Sequence, residues 1–122
     1  MKLLDMDLFG QNILPVSSVL NFCNEIIRIR NRLSKINFEG KFQIMKSLEK
    51  IEEELQIHGF EIINFLGENY DEGYSLRVHF IKSSLLTKKE KKITKVIKPQ
   101  INYKGQLIQM AEVEVSEGTK EK

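Results

Sequence analysis

The sequence predicts an α+β protein: an antiparallel helical hairpin, half of a dimeric four-helix bundle, followed by a small β-sheet domain. Three observations lead there. Apolar residues recur every three or four positions from Pro15 to about Ser34, and again from Ile44 to His58, which places them on one face of a helix. Asn37 to Gly40 is a short break between the two stretches, and helices joined so closely pack antiparallel. After Gly59 the period changes to two, with Tyr74, Leu76, Val78 and Phe80 alternating with Ser75, Arg77, His79 and Ile81. That alternation marks a half-buried strand. The expected division is residues 1–59 for the helical dimerisation hairpin and residues 60–122 for the β domain.

The first helix carries Val16, Val19, Leu20, Cys23, Ile26, Ile27 and Leu33 on its apolar face. Asn12 is the expected N-cap, with Pro15 in the first turn, where a missing N–H costs nothing. Arg28, Arg30 and Arg32 cluster near its end, the favourable pole of the helix dipole for cations. The second helix carries Ile44, Leu48, Ile51, Leu55 and His58, with Glu49, Glu52, Glu53 and Glu54 between them. Gly59 follows, the usual residue for the left-handed position that ends a helix, and Phe60 can fold back onto the last turn. Each apolar stripe is narrow. A second copy would complete the core, through Val19, Cys23, Ile27, Leu48, Ile51 and Leu55.

Beyond Gly59, Phe60 to Leu66 is a candidate strand, and Ile93 to Ile97, Ile101 to Tyr103 and Leu107 to Val115 supply the others. Lys104-Gly105 reads as a tight hairpin turn. Ser116 to Lys122 reads as a charged, frayed tail.

With 122 residues, 41% hydrophobic and 30% charged, the chain is one domain or two small coupled units. The formal charge of +2 gives no general attraction to nucleic acid or to anionic membranes. Cys23 is the sole cysteine, which excludes an internal disulfide and a Cys-based metal site. Asp5 and Asp7 interrupt the opening Met1–Phe9 stretch before it reaches signal-peptide length. No run of 18 apolar residues exists for a membrane helix. A cytoplasmic location is expected by default.

Groups for catalysis are few. His58 and His79 lack a metal-ligand spacing; His58 is expected to cap the apolar stripe and His79 to lie on a strand surface. Cys23 has no acid–base partner near it in sequence and reads as a small buried hydrophobe. Gly67, Gly73 and Gly105 stand singly at turns and form no phosphate loop. The acidic run from Glu49 to Glu54 reads as a solvated helix face. The expectation is therefore a protein that grips another protein, with no catalytic residue, no metal and no cofactor.

Lys88, Lys89, Lys91, Lys92, Lys95 and Lys98 fall within eleven residues. They read as a solubilising loop and a charged sheet edge, or as a basic surface for an acidic partner. No aromatic residue is interleaved, which counts against single-stranded nucleic acid.

Four segments in order resemble the GrpE family of nucleotide exchange factors. Ile13-Leu14-Pro15-Val16-Ser17-Ser18-Val19-Leu20 is similar to that family's leucine–proline–valine helix start. Leu55-Gln56-Ile57-His58-Gly59-Phe60-Glu61-Ile62-Ile63 is similar to its second helix end, and Gly67-Glu68-Asn69-Tyr70-Asp71 to the short segment that follows. Tyr103-Lys104-Gly105-Gln106-Leu107-Ile108-Gln109-Met110-Ala111-Glu112-Val113-Glu114-Val115 resembles its closing hairpin and strand. The resemblance spans roughly residues 13–116. The long N-terminal stalk of the family is missing, and Gln106 and Gln109 stand where it has arginines, whose charged fork glutamine cannot reproduce.

The resemblance implies a homodimeric co-chaperone that binds the ATPase domain of a DnaK-type chaperone and promotes ADP release. It places Ile97, Gln106 and Val115 at the partner. Lys98 and Lys104, which flank the same hairpin, are added to that surface. A GrpE-fold adaptor or assembly protein without exchange activity is the alternative.

Overall fold

The computed structural model describes residues 14–120. They form α1 (Val16–Leu33), α2 (Lys41–Ile57), β1 (Phe60–Ile63), β2 (Arg77–Thr87), β3 (Lys91–Lys98), β4 (Gln100–Tyr103), β5 (Gln106–Gln109) and β6 (Glu112–Lys120). A helical hairpin followed by sheets is what the change of hydrophobic period predicts. The readings of Met1–Phe9, of Asn12 as a cap, and of Glu121 and Lys122 lie outside the described residues.

Pro15 is itself the N-cap of α1, with an extended backbone, and does not sit in the first turn. Its carbonyl accepts from Ser18 N at 3.0 Å and Val19 N at 3.3 Å. Proline cannot supply a side-chain cap, so the backbone carbonyl alone starts this helix. Val19, Cys23, Ile26 and Ile27 form its buried stripe, and α2 buries Leu48. The Arg30 guanidinium spans the two helices, donating through Nε and Nη2 to the two Glu52 carboxylate oxygens at 3.0 and 2.8 Å. Both side chains are about three-quarters covered, and a two-pronged pair fixes geometry better than a single contact. Glu52 therefore leaves the solvated face on which Glu49, Glu53 and Glu54 remain.

Burial pushes the Cys23 thiol up to about 11, with the nearby Glu52 carboxylate adding to the shift. A thiol held protonated is a poor nucleophile. Iodoacetamide at about pH 8, near the ordinary thiol pKa, should label the folded chain far more slowly than the chain in denaturant. Equal rates would show that Cys23 is not buried.

α2 ends at His58, and Gly59 follows with φ 97°. His58 does not close the apolar stripe: its side chain is 62% exposed, 3.6 Å from Glu54. Phe60 performs that task, packing with Val19, Cys23, Ile101 and the half-buried Leu55.

The first sheet has the order β1-β4-β5 and is antiparallel throughout. Its apolar face meets the helices, so one core runs across Gly59. The β4–β5 turn has positive φ at both Lys104 and Gly105, the conformation that a two-residue hairpin turn favours. Lys104 N donates to Gly59 O at 2.8 Å. A Cβ on Gly59 would press on Lys104 Cγ at 3.1 Å and Tyr103 Cε1 at 3.3 Å. Gly59→Ala should lower stability by about 1–2 kcal/mol through its positive φ and this crowding; an unchanged denaturation midpoint would contradict that account.

The second sheet has the order β2-β6-β3. Consecutive strands β2 and β3 do not pair; the last strand lies between them, parallel to β2 and antiparallel to β3. The expected frayed tail is therefore central strand as far as Lys120, with Ser116 only 4% exposed. The expected strand from Leu107 to Val115 is divided between the sheets at Met110-Ala111. Phe65, Ile93, Ala111, Val113 and Val115 form the second core. The strands make two sheets because β3 stops at the buried Pro99, which has no N–H to continue a ladder, and β4 pairs with β1 instead.

Gly118 sits where β6 passes the end of β2, and a Cβ there would collide with the Thr87 carbonyl. Gly118→Ala should cost about 1–3 kcal/mol, because backbone must shift. A variant as stable as the parent would mean that the end of β6 does not pass so close.

Candidate interaction surface

The residues expected to meet a partner fall on both sheets. Lys104 and Gln106 are exposed at the β4–β5 turn, where Lys104 Nζ lies 5.3 Å from the Tyr103 ring centroid. Ile97 is half-buried and Lys98 exposed at the end of β3, where the pairing with β6 is irregular. Val115 is fully buried in the second core. It has no surface to offer, which corrects its assignment to the partner face. The alternation Val113-Glu114-Val115 explains this, since both valines point into the core while Glu114 stays half-covered.

The helical residues expected at a dimer interface are also mostly internal. Val19, Cys23, Ile27 and Leu48 are 8, 0, 3 and 6% exposed, so they belong to the core of a single chain. Leu55 is half-buried against Phe60, and Ile51 is 47% exposed. The stripes are too narrow to cover the sheet and a second copy together.

Other apolar side chains of the two helices are open. Phe22 and Ile29 on α1, and Ile44 and Ile51 on α2, are all 43–52% exposed. Each pair is seven residues apart, hence nearly in line along its helix. Asn24 and Asn31, about 200° around α1 from Phe22 and Ile29, reach β5 and the residue just after β1. Gln109 Nε2 donates to Asn24 Oδ1 at 2.7 Å, and Asn64 Nδ2 to Asn31 Oδ1 at 2.8 Å. Phe22 and Ile29 therefore face away from the sheets. Ile44 and Ile51 belong to the apolar stripe read from the sequence, and Phe22 and Ile29 stand one step beside that of α1.

The lysine cluster divides between a turn and a strand. Lys88 and Lys89 stand at the β2–β3 turn, and three of the four β3 lysines face β6 acids, Lys91 opposite Glu117, Lys95 opposite Glu114 and Lys98 opposite Glu112, while Lys92 is opposite Ser116. Opposite charges so placed support the sheet. Although no aromatic residue is interleaved in sequence, the fold brings two to the cluster. Lys91 Nζ lies 5.9 Å from the Phe80 ring centroid, and Tyr70 meets that ring edge-on at 5.7 Å. A cleft of about 880 Å³ opens here between Tyr70, Tyr74, Lys89 and Lys91, but Asp71 and Glu72 line it too. Carboxylates in the same cleft oppose a phosphate backbone. Nucleic-acid affinity at physiological salt is expected to be negligible; tight, salt-sensitive binding of a random oligonucleotide would reverse that conclusion.

On the outer face of the second sheet, His79 Nε2 lies 2.7 Å from Glu112 Oε2. That hydrogen bond holds the Glu112 carboxyl below its ordinary value of 4.5, with Arg77 and Lys98 adding weaker attraction. A lowered acid pKa contributes stability above the ordinary value and loses it as pH falls through the folded value. Glu112→Gln should therefore narrow the stability gap to the parent as pH drops below 4.5.

Among the described residues no group of His, Cys, Asp and Glu could hold a metal ion, and no helix is long and apolar enough to cross a membrane. The geometry defines an α+β protein with polar and apolar surfaces suited to contact. No protein family matches the chain, and neither does any curated protein or solved structure.

Proposed function

We propose that this chain is a GrpE-like co-chaperone, acting in the cytoplasm as a homodimer on the ATPase domain of a DnaK-type chaperone to promote ADP release. The observation that carries the reading is the bond from Lys104 N to Gly59 O. It joins the segment that ends the second helix to the closing hairpin, two of the four stretches that resemble the GrpE family. The turn from Lys104 to Gln106 is thereby tied to the residue that follows the second helix. A rigid wedge needs no reacting group: a protein that binds the open, nucleotide-free conformation more tightly must weaken ADP by the same factor. Ile97, Lys98, Lys104 and Gln106 form the proposed contact surface.

The test is titration of the ATPase domain with this protein, with and without saturating ADP. ADP should weaken the complex, and Lys104→Glu or Ile97→Asp should weaken it in both states. Gln106→Arg should strengthen it. Binding that ignores ADP would favour an adaptor without exchange activity. Gln109 lends that alternative one observation, since it bonds internally to Asn24 and to Pro99 O at 2.8 Å where the family places an arginine. Dimerisation is assigned to the open face of the hairpin. Ile29→Asp or Ile51→Asp should then shift sedimentation from dimer to monomer while the fold persists. A folded wild-type monomer at tens of micromolar (roughly, a usual assay range) would exclude the dimer.

A further inference from the structure

The two edges of the second sheet are treated differently. Along β3 the chain covers its own edge: Gly67 N donates to Ile93 O at 2.9 Å, Ile93 N to Glu68 O at 2.8 Å, and Tyr70 N to Lys91 O at 2.8 Å. Along β2, an eleven-residue strand, nothing among the described residues pairs with the side away from β6. Arg77 N donates towards β6, to Ala111 O at 2.9 Å, and the ladder is regular from Arg77 to Ser83. Backbone groups alternate in direction along a strand, so those of Val78, Phe80 and Lys82 point outward, with no backbone partner among the described residues.

The usual guards of an open edge are weak here. β2 contains no proline. Lys82, the charge at its centre, leans back over the sheet to Glu117 at 3.3 Å. Phe80, Ile81 and Leu85 are 50, 42 and 85% exposed. A long, partly apolar edge left open is a template for a further strand.

Charge selects the occupant. From Arg77 to Lys89 the chain has no carboxylate, and the exposed cations Arg77 and Lys89 stand at its two ends. A second copy laid along this edge would double those cations in one ribbon, whereas an acidic strand would complement them. We infer that the free edge of β2 is a docking site for an extended acidic segment of another protein, with apolar side chains at alternate positions. Backbone bonds to Val78, Phe80 and Lys82 would provide the grip, and the flanking cations the selectivity. The site is separate from the Lys104 turn and stands whether or not the chain acts on a chaperone.

The probe is a fluorescein-labelled peptide of alternating valine and glutamate, about ten residues long to match a strand, read by fluorescence anisotropy. Binding should weaken at least about tenfold when alternate peptide amides are methylated, since several backbone bonds are lost at once. The same loss should follow from lysine in place of glutamate, or from raising salt to about 0.5 M. Phe80→Pro removes one outward N–H without touching the β6 ladder and should weaken binding in a variant with unchanged circular dichroism. Methylated peptides test the same bonds without altering the protein. Equal binding of methylated or lysine peptides, or no binding of the acidic one, would overturn the proposal. So would a protein dimer that Phe80→Pro dissociates, because the occupant would then be a second copy.

Discussion

Replacing Val115 by aspartate should unfold the second sheet and leave no binding defect to measure separately. Val115 is fully enclosed, on the central strand, opposite Phe80 on one side and Ile93 on the other. A carboxylate placed there would be surrounded by Phe65, Ile93, Ala111 and Val113, with no cation or donor in that cluster. A buried charge without a partner is among the few single changes that cost about 4 kcal/mol or more. For a domain of this size that is a large part of the total. Circular dichroism should show lost sheet and a collapsed melting transition. A well-folded Val115→Asp protein with a specific binding loss would instead restore Val115 to the partner surface.

The second large effect is expected at Leu48, the most buried residue of α2. Leu48→Asp should remove much of the helical signal, by about 3–5 kcal/mol of lost packing and uncompensated charge. Its concentration dependence separates two roles. A core residue lowers the melting temperature equally at every protein concentration. An interface residue lowers it by an amount that depends on concentration, because dissociation follows mass action. The burial of Leu48 predicts the first behaviour, and Ile51→Asp, on the open face, should show the second.

The hydrophobic period made the helices, β3, β4 and the Lys104–Gly105 turn legible in the sequence, because each depends on local pattern and turn chemistry. Two features were not legible. The parallel pairing of β2 with β6 joins residues about thirty-five positions apart, as Arg77 and Glu112 do, and no local pattern encodes a long-range partner. The tail from Ser116 to Lys120 looks polar in sequence, but backbone pairing rather than apolar side chains holds it, with β3 on one side as far as Glu117 and β2 on the other as far as Lys120.

Val115 was placed at a partner by the family resemblance alone. Its alternation with Glu112 and Glu114 already put the valines on one strand face and the carboxylates on the wet one, and the assembled sheet encloses it. The helix stripes told which residues share a face but not what covers it. Val19, Cys23 and Leu55, expected to meet a second copy, pack with the first sheet instead, whereas Ile51 stays open, as do Ile44, Phe22 and Ile29. The outward amides of β2 were invisible for a third cause: an open edge is a property of the strand order, and the order follows from β6 returning to the centre of the sheet.

The exchange activity is tested most directly by stopped-flow release of a fluorescent ADP analogue from the ATPase domain of the DnaK-type chaperone of the same cell. Adding this protein should raise the release rate in a saturable way, and Lys104→Glu should abolish the effect while leaving the melting curve unchanged. A release rate unaffected at every concentration, with the protein folded and the ATPase domain competent to bind ADP, would contradict the exchange-factor account.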